Sequence, residues 1–221
     1  MAMLGRNGVR DRLTRKLDRL YHLADADNVP SILKHGLLST ERLLGLTGVA
    51  ETERAAFLRL QRRDSLRLAE GVTIRDQRPM PPSALAQALD DGLEPGDWYA
   101  LLNSYVFLWP DRERMDRQRR SCGDRPQVIL TFDAVALFDH FGAQALLSPI
   151  NSGNARRKPT RRGRYTLVPY ATWLQEGWPT RQRSHPPAEV WMRVARARAL
   201  PDRYRRGVAP PACATRRSCG Q

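Results

Sequence analysis

The sequence contains few cysteines, and none of its apolar segments is long enough to cross a membrane. Its three cysteines are Cys122, Cys213 and Cys219, an odd number with two of them close to the C-terminus. This pattern predicts neither a disulfide framework nor a metal site, so we expect no bound metal. No apolar run approaches the roughly 18 residues that span a bilayer, and no signal-peptide core follows the basic N-terminus. We therefore expect a cytoplasmic protein without a membrane partner.

Acidic residues are also scarce relative to basic ones. The 221 residues include 37 lysines and arginines against 23 aspartates and glutamates, which gives a net charge of +14 and a pI near 10.8. The resulting field attracts polyanions, so DNA, RNA or an acidic partner is expected. Only Lys16, Lys34 and Lys158 are lysines. A GC-rich genome would also favour arginine over lysine, but that bias does not account for the excess of positive charge.

The length and the 41% hydrophobic content suffice for one sizeable core. We predict a single domain over residues 1–202 and a disordered basic tail over residues 203–221. Apolar spacing and capping residues predict helices at 9–20, 28–36, 51–70, 83–89 and 97–103. Strand-forming residues concentrate at 20–23, 105–109, 127–132, 145–147, 165–168 and 189–194. Because long helices seldom alternate with these strands, we expect an α+β fold with antiparallel sheets.

Two segments of the sequence carry a family resemblance. Tyr21 and His22 are followed by Asn-Val-Pro-Ser-Ile-Leu-Lys-His-Gly-Leu-Leu-Ser at residues 28–39, and Pro-Ala-Glu-Val-Trp-Met occupies residues 187–192. In this order, the two segments resemble the opening and the late, glutamate-bearing strand of the DNA-targeting ADP-ribosyltransferase toxins of the DarT kind. The resemblance implies an ADP-ribosyltransferase-like fold of split antiparallel β-sheets with flanking helices.

The resemblance also implies an NAD-dependent transferase that attaches ADP-ribose to an acceptor, first of all a base of DNA or RNA, as a toxin or defence enzyme. An antitoxin or immunity protein would then be a partner. Glu189 would be the catalytic residue, because a carboxylate can stabilise the oxocarbenium-like centre that forms when nicotinamide leaves the ribose. His22 would hold the nicotinamide-side ribose or amide. Without the resemblance, Glu189 would be an ordinary edge-strand residue and His22 a satisfied core histidine.

Further residues on the NAD side come from the middle of the chain. The toxins use an arginine from this region, and Arg75 and Arg112 both fit, because a guanidinium can pair bidentately with a diphosphate. Tyr105, Phe107 or Trp109 could stack on nicotinamide. An alternating aromatic strand is also typical of a protein core, so both interpretations of these rings stay open.

Residues 148–164 are rich in turn formers and contain no acidic residue, which predicts an exposed, mobile loop. The loop carries six basic residues, namely Arg156, Arg157, Lys158, Arg161, Arg162 and Arg164. In the DarT-like toxins, the segment that precedes the catalytic glutamate selects the acceptor. By this resemblance, we expect these six residues to bind nucleic-acid phosphates. A loop that is basic for solubility is the alternative. For the whole protein, the alternative function is a non-catalytic nucleic-acid-binding module on the same scaffold.

Overall fold

The computed structural model describes residues 17–68, 71–156, 159–181 and 185–193. The strands in these residues are β1 (Arg19–Asp25), β2 (Leu66–Arg67), β3 (Thr73–Ile74), β4 (Val106–Leu108), β5 (Gln127–Asp133), β6 (Ala145–Ser148), β7 (Val168–Pro169) and β8 (Glu189–Met192). The helices are α1 (Val29–His35), α2 (Thr40–Leu46), α3 (Glu51–Leu58), α4 (Pro82–Ala88), α5 (Pro95–Asn103), α6 (Arg112–Ser121), α7 (Ala134–Phe141) and α8 (Tyr170–Glu176). No helix among the described residues is both long and apolar enough to span a bilayer.

The strands form two main antiparallel sheets and one short additional pair. β1 pairs with β5, with Arg19 opposite Asp133. The second sheet has the strand order β4-β8-β6-β7, and β2 pairs only with β3. Backbone N···O hydrogen bonds of 2.9 and 2.7 Å join Tyr21 of β1 to Trp109, the residue after β4, so the two main sheets meet there. The fold is α+β with antiparallel sheets, as the sequence predicts.

Short-range signals determine several helix ends. The Asp111 side chain accepts hydrogen bonds from two amides of the first turn of α6, which begins that helix. Gly36 ends α1 with a φ of 86°, a conformation that glycine adopts without steric cost. Asn28 precedes α1 but bonds across to Thr73, with its Oδ1 2.7 Å from the Thr73 amide and its Nδ2 2.9 Å from the Thr73 carbonyl. This side chain therefore ties the start of α1 to β3.

Two hydrophobic cores lie on opposite faces of the β4-β8-β6-β7 sheet. Val190 and Met192 belong to the core with α7 and α8, whereas Trp191 belongs to the core with α4 and α5. Trp191 is fully buried, and its ring centroid lies 6.3 Å from that of Trp98. Side chains alternate between the two faces of a strand, so Glu189 lies on the same face as Trp191.

The prediction for residues 148–164 is wrong in its main feature, because much of this segment is buried. The buried residues are Ser148, Ile150, Ser152, Ala155, Arg162 and Gly163. The backbone of Arg162 also pairs with the end of α4, with hydrogen bonds of 2.8 Å to the Ala88 carbonyl and from the Asp90 amide. The composition of this segment predicted turns, but it could not predict these contacts with the core around α4 and α5.

Other boundaries differ from the sequence prediction. The helix predicted over 51–70 ends at Leu58, and Leu66 instead packs in a small cluster with Leu44 and Ile74. At 165–168, a 3-10 turn at Arg164–Thr166 precedes the short strand β7. The strands predicted at 20–23, 105–109, 127–132 and 145–147 are confirmed within one to three residues. The tail at 203–221 and most of the helix predicted at 9–20 lie outside the described residues.

Candidate active site

A cavity of about 690 Å³ lies beside the junction of the two main sheets. This volume is within the range of about 300–1,000 Å³ that small-molecule pockets occupy. The walls come from β1, α1, the chain after β3, the residues around β4, and the loop at 151–154. The residues predicted from the sequence that line it are His22, Arg75, Tyr105, Phe107, Trp109, Arg156 and Glu189. The fold thus brings residues from both ends of the described chain into one cavity.

Glu189 begins β8 and lines the cavity, although only 3% of its surface is exposed. The Ser152 amide lies 3.2 Å from both carboxylate oxygens. Oε2 also accepts hydrogen bonds from the Ser152 hydroxyl and, at 3.0 Å, from Trp191 Nε1. Burial raises the pKa of Glu189, whereas these donors and the charge of Arg162 act to lower it. Among the residues that the structure describes, Oε1 accepts only the shared amide, so it can accept a further donor from a ligand.

Arg162 holds the loop that carries Ser152. Its Nη1 lies 2.8 Å from the Ser152 carbonyl and its Nη2 lies 2.9 Å from the Asn154 carbonyl. The guanidinium lies over the ring of Trp98, 5.9 Å from its centroid, and only 1% of Arg162 is exposed. The predicted role of Arg162 in phosphate binding therefore needs correction, because its donors are used inside the protein.

His22 lies in the middle of β1 and its Nδ1 is 2.8 Å from the Phe107 carbonyl. The pKa of His22 is lowered to about 4, chiefly by burial and to a smaller extent by the charge of Arg75. The hydrogen bond to Phe107 acts in the opposite direction. The imidazole is therefore neutral near pH 7. Since Nδ1 donates to a carbonyl, its proton is on Nδ1 and Nε2 is an acceptor. A ligand hydroxyl or amide N–H in the cavity can donate to it.

The two arginines predicted on the NAD side occupy different places. Arg75 lines the cavity, but its Nε and Nη2 each lie 3.2 Å from a carboxylate oxygen of Asp25. Arg112 is not among the residues that line the cavity. It pairs with Asp116 on the same helix at 3.0 Å and lies over the Tyr21 ring. The structure thus places Arg75, and not Arg112, at the cavity, with its bidentate face already paired.

The aromatic residues around β4 serve two structural roles at once. Tyr105 and Phe107 contact Trp191 in the core around α4 and α5, and their ring centroids lie 5.5 and 4.8 Å from that of Trp191. Both residues also line the cavity. Trp109 lines the cavity as well and is half-buried. The core and ligand-wall interpretations are therefore compatible for these residues.

The rest of the basic segment is only partly free. Arg161 pairs with Asp90, and the Arg164 amide donates to Asp91 at 2.7 Å. Arg156 is exposed and lines the cavity. The remaining two residues, Arg157 and Lys158, lie outside the described residues. Asp90 thus offsets the charge of Arg161, whereas the hydrogen bond to Asp91 uses the backbone of Arg164 and not its guanidinium.

Comparison with known protein families identifies one that matches most of the chain. Residues 18–201 match the DUF7002 family, which is a family of unknown function. The chain belongs to this family. No curated protein and no solved structure matches the chain. All residues that line the cavity lie within the region that matches DUF7002.

Three further arginines line the cavity of this DUF7002 protein, Arg62, Arg78 and Arg125, and the sequence analysis missed them. Arg78 is paired with Asp64. Arg62 Nη1 lies 2.9 Å from Asn103 Oδ1, and its Nε lies 3.1 Å from the Arg75 carbonyl. Burial lowers the pKa of Arg62 to about 10, so the group stays protonated at neutral pH. Within the described chain no carboxylate forms a salt bridge with it. In a sequence with 37 basic residues, no local signal distinguishes Arg62 from the others.

The cavity therefore offers complementary groups to an organic ligand. Arg62 supplies a cation whose Nη2 makes no hydrogen bond among the described residues. His22 Nε2 and Glu189 Oε1 supply two acceptors. Across the described ranges, no group of three or more His, Cys, Asp or Glu side chains is arranged to hold a metal ion. This combination suits a molecule that carries phosphate and hydroxyl groups.

Proposed function

We propose that this DUF7002 protein transfers ADP-ribose from NAD to an acceptor, with a nucleic-acid base as the expected acceptor and a toxin or defence role. The observation that carries the proposal is the meeting of His22 and Glu189 in one cavity, although they lie near opposite ends of the matched region. The same two residues occupy the positions that the resemblance to the DarT-like toxins assigns. Split antiparallel sheets that meet beside the cavity are consistent with that scaffold.

The reaction requires exchange of one bond at the ribose C1 atom. The bond from C1 to the nicotinamide nitrogen breaks and its electron pair leaves with nicotinamide, while a lone pair of the acceptor forms the new bond to C1. The proton displaced from the acceptor passes to a base or to water. Positive charge develops on the ribose as nicotinamide leaves, and the Glu189 carboxylate stabilises it when bonded to a ribose hydroxyl through Oε1.

The surroundings of Glu189 act in two directions on the ionised form that this role requires, and burial, the largest effect, raises its pKa. Burial alone would keep the carboxyl protonated, because a charged group is costly to desolvate. The Ser152 amide and hydroxyl, the Trp191 indole and the positive charge of Arg162 oppose that effect. These donors are in place before any ligand binds, so little reorganisation is needed when charge develops.

Two other groups fit the remaining parts of NAD. The neutral imidazole of His22 can accept a hydrogen bond from a ribose hydroxyl or from the nicotinamide amide through Nε2. Arg62 can pair with the diphosphate, because its hydrogen-bond partners are neutral oxygens and no carboxylate forms a salt bridge with it among the described residues. Arg75 would act beside it only if Asp25 released its guanidinium.

The test is incubation of the purified protein with labelled NAD and, in separate tubes, single-stranded DNA, duplex DNA and RNA. Glu189→Gln should slow label transfer by at least about 10- to 100-fold, since one charge-assisted hydrogen bond contributes about 1.5–3 kcal/mol. Glu176→Gln is the matched control, because Glu176 is an exposed glutamate at the end of α8. Its activity should equal that of the wild type.

Two results would contradict the proposal. Equal transfer by wild type and Glu189→Gln would remove Glu189 from the mechanism. Intact NAD in every tube, with a known transferase active under the same conditions, would favour the non-catalytic nucleic-acid-binding module instead. Circular dichroism of each variant confirms that any loss of activity does not arise from unfolding.

A further inference from the structure

A second depression, of about 390 Å³, adjoins the cavity. Trp109, Gln118, Asn151 and Asn154 line both spaces, so the depression is a side extension of the cavity and not a separate site. Its additional walls include Arg114 and Arg117 from α6. The proposed reaction at the ribose does not use these two arginines.

The α6 side of this depression carries positive charge that the described residues neutralise only in part. Arg117 is exposed and forms no salt bridge within the described part of the chain. Arg114 is half-buried, and its Nε lies 3.5 Å from Asp111, a distance that leaves donors for another anion. By contrast, Arg161 of the basic segment pairs with Asp90. Among the described residues, α6 thus contributes cations beside the cavity in addition to Arg156 of the basic segment.

The opposite side of the depression offers amide groups next to the catalytic candidate. Asn151 Oδ1 accepts from the Gly153 amide at 3.1 Å, and Asn154 Oδ1 accepts from the Arg156 amide at 3.0 Å. Each side-chain oxygen is thereby fixed, and neither NH₂ group donates a hydrogen bond to a described residue, so each is left as a donor. Both residues flank Ser152, which bonds the Glu189 carboxylate. A group held by these amides would therefore lie near Glu189.

Trp109 completes a surface suited to a base. It is half-buried, lines both spaces, and its backbone is fixed by two hydrogen bonds to Tyr21. Indole rings stack on nucleobases, and stacking is tolerant of base identity. Amide donors can bond the ring nitrogens and carbonyl oxygens on base edges.

Building on the proposed function, we propose that this depression is the acceptor side of the cavity and binds one nucleotide of a single-stranded nucleic acid. Arg114 and Arg117 bind phosphates on either side of a base that stacks on Trp109 and is bonded by Asn151 and Asn154. The base must be unpaired, because a base within a duplex cannot present both a free face and a free edge to one depression. Strand type is left to the experiment, since DNA and RNA share this chemistry.

The experiment measures binding without NAD. Fluorescence anisotropy follows labelled oligonucleotides of about 12 nucleotides, a length within the site sizes of single-strand binders, as single-stranded DNA, single-stranded RNA and duplex DNA. An Arg114→Gln, Arg117→Gln double variant should bind the single strand about 10-fold or more weakly. Its plot of log K against log salt should be less steep by about 1.4, or about 0.7 for each phosphate that an arginine no longer neutralises. Trp109→Leu should weaken binding by about 5- to 150-fold.

The matched control is Arg119→Gln, Arg120→Gln, which makes the same charge change at two exposed residues of α6 outside the depression. It should stay within about 3-fold of the wild type. Equal weakening in both double variants, no weakening in either, or tighter binding of the duplex would overturn the proposal. The reaction is tested separately: binding abolished in the Arg114 and Arg117 variant with NAD never cleaved would uphold this surface and refute the transferase. NAD cleavage that depends on Glu189, without oligonucleotide binding, would refute this surface alone.

Discussion

Removal of the Arg162 side chain should destabilise the protein far more than removal of its neighbour Arg161. The two residues are adjacent members of one basic segment, but Arg162 is 1% exposed whereas the Arg161 side chain is 62% exposed. Arg162→Ala and Arg161→Ala therefore form a matched pair with the same change in charge. The comparison separates a buried structural arginine from a surface one.

The expected magnitude follows from the hydrogen bonds of Arg162. Its guanidinium donates to the carbonyls of Ser152, Asn154 and Thr160 at 2.8, 2.9 and 3.0 Å. Of these three carbonyls, only that of Ser152 keeps a second donor within the described part of the chain, Trp98 Nε1 at 3.3 Å. Breaking a buried charged network by removing one member costs about 3–5 kcal/mol. Loss of an exposed ion pair costs about 0–1 kcal/mol, which sets the expectation for Arg161→Ala.

Thermal and urea denaturation of the two variants measure this difference. For a chain of this length, 1 kcal/mol corresponds to about 2–4 °C in Tm, so Arg162→Ala should melt about 6–20 °C below the wild type. Arg161→Ala should melt within about 4 °C of the wild type. If both variants melted together with the wild type, the buried network around Ser152 would not exist as described. If Arg162→Ala kept its stability and lost only nucleic-acid affinity, the phosphate-binding role predicted from the sequence would be restored.

The remaining predictions concern His22 and Arg62. The folded pKa of His22 is about 4, against 6.5 for the unfolded chain, so below pH 6.5 the unfolded state binds a proton that the native state refuses. From pH 7 to pH 5 the free energy of unfolding of the wild type should therefore fall by about 2 kcal/mol more than that of His22→Gln. Urea titrations at each pH measure this difference. Equal losses in the two proteins would contradict the lowered pKa. Arg62→Gln should raise the KM for NAD about 10-fold or more, since an Arg–phosphate bond contributes about 1.5–3 kcal/mol, whereas Arg112→Gln should leave KM unchanged. The opposite order of the two variants would place the diphosphate near α6.

The sequence indicated much of the secondary structure because local signals agree there with tertiary packing. Residues 189–192 read Glu-Val-Trp-Met, and each position is buried on one of the two faces of β8. Asn-Val-Pro-Ser followed by a glycine marks a short helix with a fixed stop, and α1 ends at Gly36 as expected. The placement of His22 in β1 also follows from its apolar neighbours Leu20 and Leu23. In these segments, periodicity and turn chemistry suffice.

The partners of charged side chains could not be predicted in the same way. Arg62, Arg75, Arg112 and Arg162 look alike in an arginine-rich sequence, and only the fold shows which of them meets a carboxylate, a carbonyl or the cavity. Arg162 in particular lies in a stretch of turn formers and basic residues, the composition of an exposed loop. Its burial depends on Trp98, which is distant in the sequence. The composition of a sequence thus gives the number of charged residues, but it does not show which groups they contact in the fold.

The correction at Arg162 strengthens the case for Glu189 as the reactive group. Both residues are buried, and both hold Ser152: Arg162 binds its carbonyl, and Glu189 accepts its amide and hydroxyl. The guanidinium of Arg162 and the carboxylate of Glu189 lie on opposite sides of Ser152. Because their charges attract each other, burying each one costs less free energy than it would alone. A structural role alone would be served more cheaply by apolar residues of similar volume. The fold instead retains a buried carboxylate with an oxygen that can accept a further donor, at the wall of a cavity that can hold a ligand.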